Sequence, residues 1–139
     1  MKQAFKAVFL ALCGGSLYVL FELLWRGYSH WTMFLLGGLC FVLIGAINEF
    51  MSWETPIIFQ GIIGSFCVIT PLEFLTGCVV NLWLGWDVWD YSEIPLNLFG
   101  QICLPFSLLW ILISIVAVVL DDWIRYFAFG EERPHYKIV

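Results

Sequence analysis

The sequence has few charged residues, and its positive charges never cluster. Only 12% of the 139 residues are charged, and the six Lys and Arg residues are scattered singly along the chain. Binding to a phosphate backbone requires a run or patch of basic side chains, and the net charge of -5 has the opposite sign. These absences exclude a nucleic-acid-binding protein.

Catalytic and metal-binding motifs are also missing. The five cysteines show neither CxxC nor CxxH spacing and fall within apolar runs, as small buried side chains do. The sequence contains no HExxH, no glycine-rich phosphate loop and no Walker motif. We therefore expect no cofactor and no catalytic residue, and any ATP hydrolysis would require another chain. The spacing leaves a metal site undecided.

Most of the sequence is hydrocarbon. Hydrophobic residues make up 62% of the chain and the mean hydropathy is +0.92, whereas soluble domains are about one half apolar. A membrane helix takes about 20 apolar residues, so the chain has room for about four transmembrane helices. We predict an all-α polytopic membrane protein with a single integral membrane domain over residues 1–139, and with spans at about 4–25, 31–47, 57–84 and 98–120.

Two of these stretches have unusual features. The third is too long for one straight helix and contains Pro71, Glu73 and Gly77; because proline kinks a helix, we expect a long kinked helix or two unequal segments. After the fourth span, we predict that residues 121–127 form a C-terminal juxtamembrane amphipathic segment. Its aromatic side chains suit the headgroup layer.

Small residues recur in the first two predicted helices. Gly14 and Gly15 lie in the first, and Gly37 and Gly38 lie in the second. Glycines on a membrane helix allow another helix to approach closely. Four short spans enclose little space for a solute, so such faces also favour a homo-oligomer.

The distribution of positive charge predicts the orientation. With four spans, five cations share the side of the termini and only Arg26 lies opposite; the five are Lys2, Lys6, Arg125, Arg133 and Lys137. Since cytoplasmic segments carry the excess of Lys and Arg, we predict a multi-pass protein with both termini in the cytoplasm. The 26–30 turn and the polar stretch 86–97 would then face outward.

Two intramembrane acids are candidate site residues. Glu73 lies within an apolar run, where an ionised side chain costs at least about 2.5–3.5 kcal/mol; it either serves a function or is a structural hydrogen-bonding acid. Glu22 and Arg26 are four residues apart, which favours an ion pair on one helix face. That pair anchors the helix end or, with His30, forms part of a polar site.

The stretch 86–97 is the densest polar cluster in the sequence. It places Asp87, Asp90 and Glu93 among the aromatic residues Trp86, Trp89 and Tyr91. Carboxylates framed by aromatic rings suit a cation or an amine. The alternative is an interfacial loop whose aromatic residues lie in the headgroup layer and whose acids face water.

Two sequence blocks, RGYSHWTM at 26–33 and WDYS at 89–92, stand out together with GQIC at 100–103. With Tyr18 and Glu22 they resemble a small bacterial membrane family, the ABC-transporter type IV permeases, which is similar to a group of small vertebrate transmembrane proteins. The resemblance covers nearly the whole chain and implies membrane transport and a location in the bacterial plasma membrane. It directs attention to the matching residues Glu22, Arg26, His30, Asp90, Tyr91, Asn97 and Gln101.

We predict a small transport component or permease-like subunit with an outward-facing polar site. Its binding residues would be Glu22, Arg26, His30, Glu73, Asp87, Asp90, Tyr91, Asn97 and Gln101. The expected partners are the lipid bilayer, further copies of the chain or other membrane subunits, and a separate ATPase chain. Two alternatives remain open: a membrane-embedded enzyme that acts on lipid or depends on a metal, and a noncatalytic scaffold or sensor.

Overall fold

The computed structural model describes residues 2–50, 55–131, 133, 134 and 136. Its α-helices are α1 (Lys2–Arg26), α2 (Trp31–Phe50), α3 (Ile57–Ile63), α4 (Thr70–Gly77) and α5 (Leu104–Phe129). The π-helical segment Gly64–Ile69 joins α3 to α4, and a second one, Cys78–Trp83, extends α4. A two-stranded antiparallel hairpin, β1 (Asn97–Leu98) and β2 (Ile102–Cys103), precedes α5.

Three stretches of the described residues are long and apolar enough to cross a membrane. They are Gln3–Leu24, Ile57–Trp83 and Leu104–Phe129, and α2 contributes a shorter apolar stretch, Trp31–Ala46. The prediction of an all-α polytopic membrane protein is confirmed. Helix α2 continues to Phe50, beyond the predicted end of the second span at residue 47, and residues 51–54 lie outside the described residues.

The third predicted span is one continuous helical run. Pro71 lies in the first turn of α4, directly after a π-helical segment. A proline ring clashes with the preceding turn of an α-helix, and a π-helical turn, with its wider hydrogen-bonding interval, relieves that crowding. The chain therefore passes Pro71 without separating into two segments.

The chain divides into two compact units, the first of which comprises Met1–Ser52 and Ala117–His135. Within it α1 and α2 pack closely through their glycines. A methyl group on Gly38 would lie 2.6 Å from the carbonyl oxygen of Ala11, and one on Gly15 would lie 2.6 Å from that of Phe34. The predicted close approach at these glycines is confirmed.

The second unit comprises Trp53–Val116 and Tyr136–Val139. Here the third helical run packs against the first part of α5. Ser65 Oγ donates a hydrogen bond of 2.5 Å to the carbonyl oxygen of Ser107, and the hydroxyls of Thr70 and Ser107 are 2.9 Å apart. Two hydrogen bonds from the third helical run therefore converge on Ser107 of α5.

The predicted start of the fourth span, near Leu98, is wrong, because the helix begins at Leu104. Residues 97–103 form the hairpin instead. Its three-residue loop places Phe99 and Gly100 at φ values of 54° and 72°, the left-handed backbone that tight hairpin turns use. The Gln101 N–H donates a 3.0 Å hydrogen bond to the Leu98 carbonyl oxygen and closes the turn.

The predicted C-terminal segment, residues 121–127, is helical and continuous with α5, which runs to Phe129. Three of its charged residues, Asp121, Asp122 and Arg125, are buried. This burial places ionisable groups at the end of a candidate membrane span.

Candidate functional site

Residues 84–101, called the polar loop below, are held by side-chain amides. The Gln101 Oε1 atom accepts a 2.8 Å hydrogen bond from Asn81 Nδ2 at the end of the third helical run, and Asn81 Oδ1 accepts one of 2.7 Å from the Val88 N–H. The Trp89 indole donates to the Gln101 carbonyl oxygen at 3.0 Å. Because Trp89, Asn81 and Gln101 are buried, these bonds fix the loop against the helix.

Four predicted site residues meet around Gly100. Asn97 Oδ1 accepts a 3.0 Å hydrogen bond from the Gly100 N–H, and the Tyr91 N–H donates one of 2.7 Å to the Gly100 carbonyl oxygen. Gln101 follows directly in the chain. A methyl group on Gly100 would lie 2.8 Å from Asp90 Oδ1, so only glycine leaves room for that carboxylate.

The polar loop carries three exposed carboxylates, those of Asp87, Asp90 and Glu93. Hydrogen bonds from the backbone and side chain of Ser92 lower the pKa of Asp90 below its ordinary value of 3.8, so this group is ionised at neutral pH. No group of three or more His, Cys, Asp or Glu side chains among the described residues is arranged to hold a metal ion. The loop can attract a cation or an amine through charge. Its half-exposed Trp86 ring could add a cation–π contact.

Glu73 lies in α4 and is only 4% exposed. Its Oε2 atom accepts a 2.7 Å hydrogen bond from the Trp110 indole on α5. The Trp110 ring lies 6.1 Å from that of Phe106, which stacks on Tyr91 at a centroid distance of 4.9 Å. A chain of aromatic contacts therefore joins Glu73 to the polar loop within the second unit.

The other predicted residues, Glu22, Arg26 and His30, belong to the first unit and make local interactions. Arg26 Nε donates a 2.6 Å hydrogen bond to Glu22 Oε2, and its guanidinium lies 4.7 Å from the centre of the Tyr28 ring. His30 Nδ1 accepts a 3.2 Å hydrogen bond from the Thr32 N–H in the first turn of α2, which caps that helix. The predicted ion pair between Glu22 and Arg26 is confirmed.

A buried ionic cluster in the first unit was not predicted. Asp121 is completely buried, with its Oδ2 atom 2.9 Å from Arg125 Nε. Arg125 Nη1 lies 3.8 Å from Glu131 Oε1, and Glu131 also forms an ion pair with Lys6 of α1. We call Lys6, Asp121, Asp122, Arg125 and Glu131 the ionic cluster.

A protein-family model described as "Putative ABC-transporter type IV" matches residues 9–130. The chain belongs to this family. The match spans all nine predicted binding residues, together with Asp121, Asp122 and Arg125 of the ionic cluster. No match was found among the curated proteins or the solved structures. Family membership and the long apolar helices together identify an ABC-transporter-related membrane protein.

In this ABC-transporter type IV chain, one signal in the sequence points to the ionic cluster. Ser107, Ser114 and Asp121 recur every seven residues, which places them on one face of α5. All three are buried, as is Arg125 one turn further on. A polar residue at each second turn of an otherwise apolar span indicates that this face does not contact lipid.

Proposed function

We propose that this member of the ABC-transporter type IV family is a permease-like subunit of a transport system in the bacterial plasma membrane. The observation that carries the proposal is the buried Glu73 carboxyl, hydrogen-bonded to Trp110 between two candidate spans. Acids at such positions are costly to insert, and in membrane proteins they commonly mark a solute or ion pathway. Glu73 would serve that pathway.

The polar loop would be the outward entrance of the pathway. The exposed carboxylates of Asp87 and Asp90 would raise the local concentration of cationic solutes. Amide hydrogen bonds hold the loop in one conformation before a solute arrives. The aromatic contacts from Tyr91 to Trp110 connect this entrance to Glu73. The motif block containing Glu22, Arg26 and His30 would face the same outer side if both termini are cytoplasmic, as the distribution of positive charge predicts.

Energy for transport would come from another chain. The sequence has no Walker motif, so an ATP-driven system would need a separate ATPase subunit that binds on the cytoplasmic side. Further copies of this chain or other membrane subunits would enclose the pathway. Copurification with an ATPase in mild detergent supports this arrangement, and a chain that remains fully active after purification alone contradicts it.

Native mass spectrometry of the purified protein tests whether the loop binds a solute. We expect wild type to retain a small cationic ligand that Asp90→Asn loses. Glu93→Gln is the matched control, because Glu93 is an exposed acid of the same loop but is not one of the predicted binding residues. Equal ligand occupancy in wild type and Asp90→Asn would contradict the proposed site.

A noncatalytic scaffold is the second candidate, and the amide network favours it for part of the loop. Asn81, Asn97 and Gln101 all bond within the loop or to its neighbouring helix. A scaffold predicts that every phenotype follows the amount of folded protein in the membrane. Loss of function in Asp90→Asn at unchanged protein level would exclude it.

A further inference from the structure

The ionic cluster surrounds its most buried member, Asp121, with groups of both signs. Among the described residues, the charged groups that act on Asp121 include Arg125, at 2.9 Å, and Lys6, Asp122 and Glu131. The Asp121 side chain is completely buried. An ionised carboxylate in such a position is strongly unfavourable, so a positive species bound to it is favoured.

The packing around Asp121 limits what that species can be. The Oδ1 atom accepts no hydrogen bond from any described residue, and it faces Gly45 of α2. A methyl group placed on Gly45 would lie 2.6 Å from Oδ1 and 2.8 Å from Oδ2. No side chain fits between Asp121 and Gly45, whereas a proton on the carboxyl group needs no additional volume.

We propose that Asp121 is a proton-binding site, with a neutral carboxyl group at neutral pH. When the proton leaves, the carboxylate pairs with Arg125. When the proton returns, the guanidinium keeps Glu131, 3.8 Å away, as its carboxylate partner. The proton moves between a carboxyl oxygen of Asp121 and water, and no other covalent bond changes.

The ionic cluster reaches solvent at Glu131. Glu131 is the most exposed of the paired groups, with 38% of its side chain accessible, and Arg125 and Lys6 both contact it. Protonation of Asp121 would therefore alter an ion pair that connects the end of α5 to α1. This inference concerns the first unit and does not depend on the transport proposal.

Infrared spectroscopy of the full-length protein in lipid vesicles tests the proposal. We expect a protonated-carboxyl C=O band at neutral pH that disappears on alkalisation. The band should be absent in Asp121→Asn and retained in Asp122→Asn, its neighbour in the same cluster. Glu73→Gln controls for a buried acid of the second unit and should also retain the band.

An isotope label keeps the test independent of whether Asp121→Asn folds. Wild-type protein grown with aspartate that carries heavy carbon in its carboxyl group should show the band at lower frequency. A band that the label does not move would belong to a glutamate and would overturn the proposal. Absence of any protonated-carboxyl band at neutral pH, or its persistence in folded Asp121→Asn, would overturn it equally.

Discussion

Replacing Trp110 with phenylalanine removes the hydrogen-bond donor to Glu73 and keeps an aromatic ring in place. The bond is 2.7 Å long, and at most 5% of the surface of either residue is exposed. Leaving a buried acceptor without its donor costs about 1–3 kcal/mol, whereas side-chain hydrogen bonds measured within membranes average about 0.6 and reach about 1.7 kcal/mol. We therefore expect Trp110→Phe to lower the free energy of unfolding by about 1–2 kcal/mol.

Reversible unfolding in mixed detergent micelles measures this loss. Trp123→Phe is the matched control, since Trp123 lies on the same helix and its indole N–H makes no hydrogen bond with the described residues. Glu73→Gln keeps an acceptor oxygen and should destabilise less than Trp110→Phe. A double-mutant cycle of Trp110→Phe with Glu73→Leu should give a coupling energy of about 1 kcal/mol.

Two results would refute this reasoning. Equal destabilisation by Trp110→Phe and Trp123→Phe would mean that the loss comes from ring volume alone. Additive effects of Trp110→Phe and Glu73→Leu, within about 0.3–0.5 kcal/mol, would mean that the two side chains do not interact in the folded protein.

Three further predictions concern packing and the polar loop. Gly38→Ala should destabilise the first unit by about 1–3 kcal/mol, because the new methyl group meets the backbone of α1; unchanged thermal stability in detergent would contradict this. Gln101→Leu should leave Asn81 Nδ2 without its acceptor and speed hydrogen exchange in the loop, and wild-type exchange rates would contradict it. The lowered pKa of Asp90 means that its stabilising bonds to Ser92 are present at neutral pH and are lost as the pH falls through the folded-state pKa. The Ser92 amide resonance should therefore titrate with a midpoint below 3.8, and a midpoint above it would refute the assignment.

Features that depend on local composition could be predicted from the sequence. The membrane class follows from the length of the apolar runs. The close approach of α1 and α2 follows from paired glycines, because only a missing side chain allows contact with a facing backbone carbonyl, as Gly38 contacts Ala11. The ion pair of Glu22 and Arg26 follows from their spacing on one helix.

The hairpin could not be predicted by the same reasoning. Its turn uses Phe99 at positive φ, whereas the usual signal for such a turn is Asn-Gly or Asp-Gly. Residues 102–104 are as apolar as the helix that follows, so hydropathy gives no boundary at Leu104. The helix starts there because the strand pairing of Asn97 with Cys103 uses the preceding residues.

The ionic cluster was missed because its members are far apart in the chain. Lys6 and Glu131 are nearly the whole sequence apart, and their pairing depends on the packing of the first unit. The sequence places Asp121 and Arg125 in a predicted juxtamembrane amphipathic segment, since their aromatic neighbours are typical of the headgroup layer. Only the complete burial of Asp121 shows that these charged residues form a buried cluster and not a segment at the membrane–water interface.

If the buried acid Glu73 and the loop acid Asp90 serve transport, solute accumulation depends on both. Measuring solute accumulation in a deletion strain tests this most directly. Cells lacking the protein would be compared for accumulation of labelled amines and metal cations, with each variant expressed at wild-type membrane level. We predict that wild type and Glu93→Gln restore the accumulation altered by the deletion, and that Glu73→Gln and Asp90→Asn do not. Full restoration by both Glu73→Gln and Asp90→Asn would contradict the account.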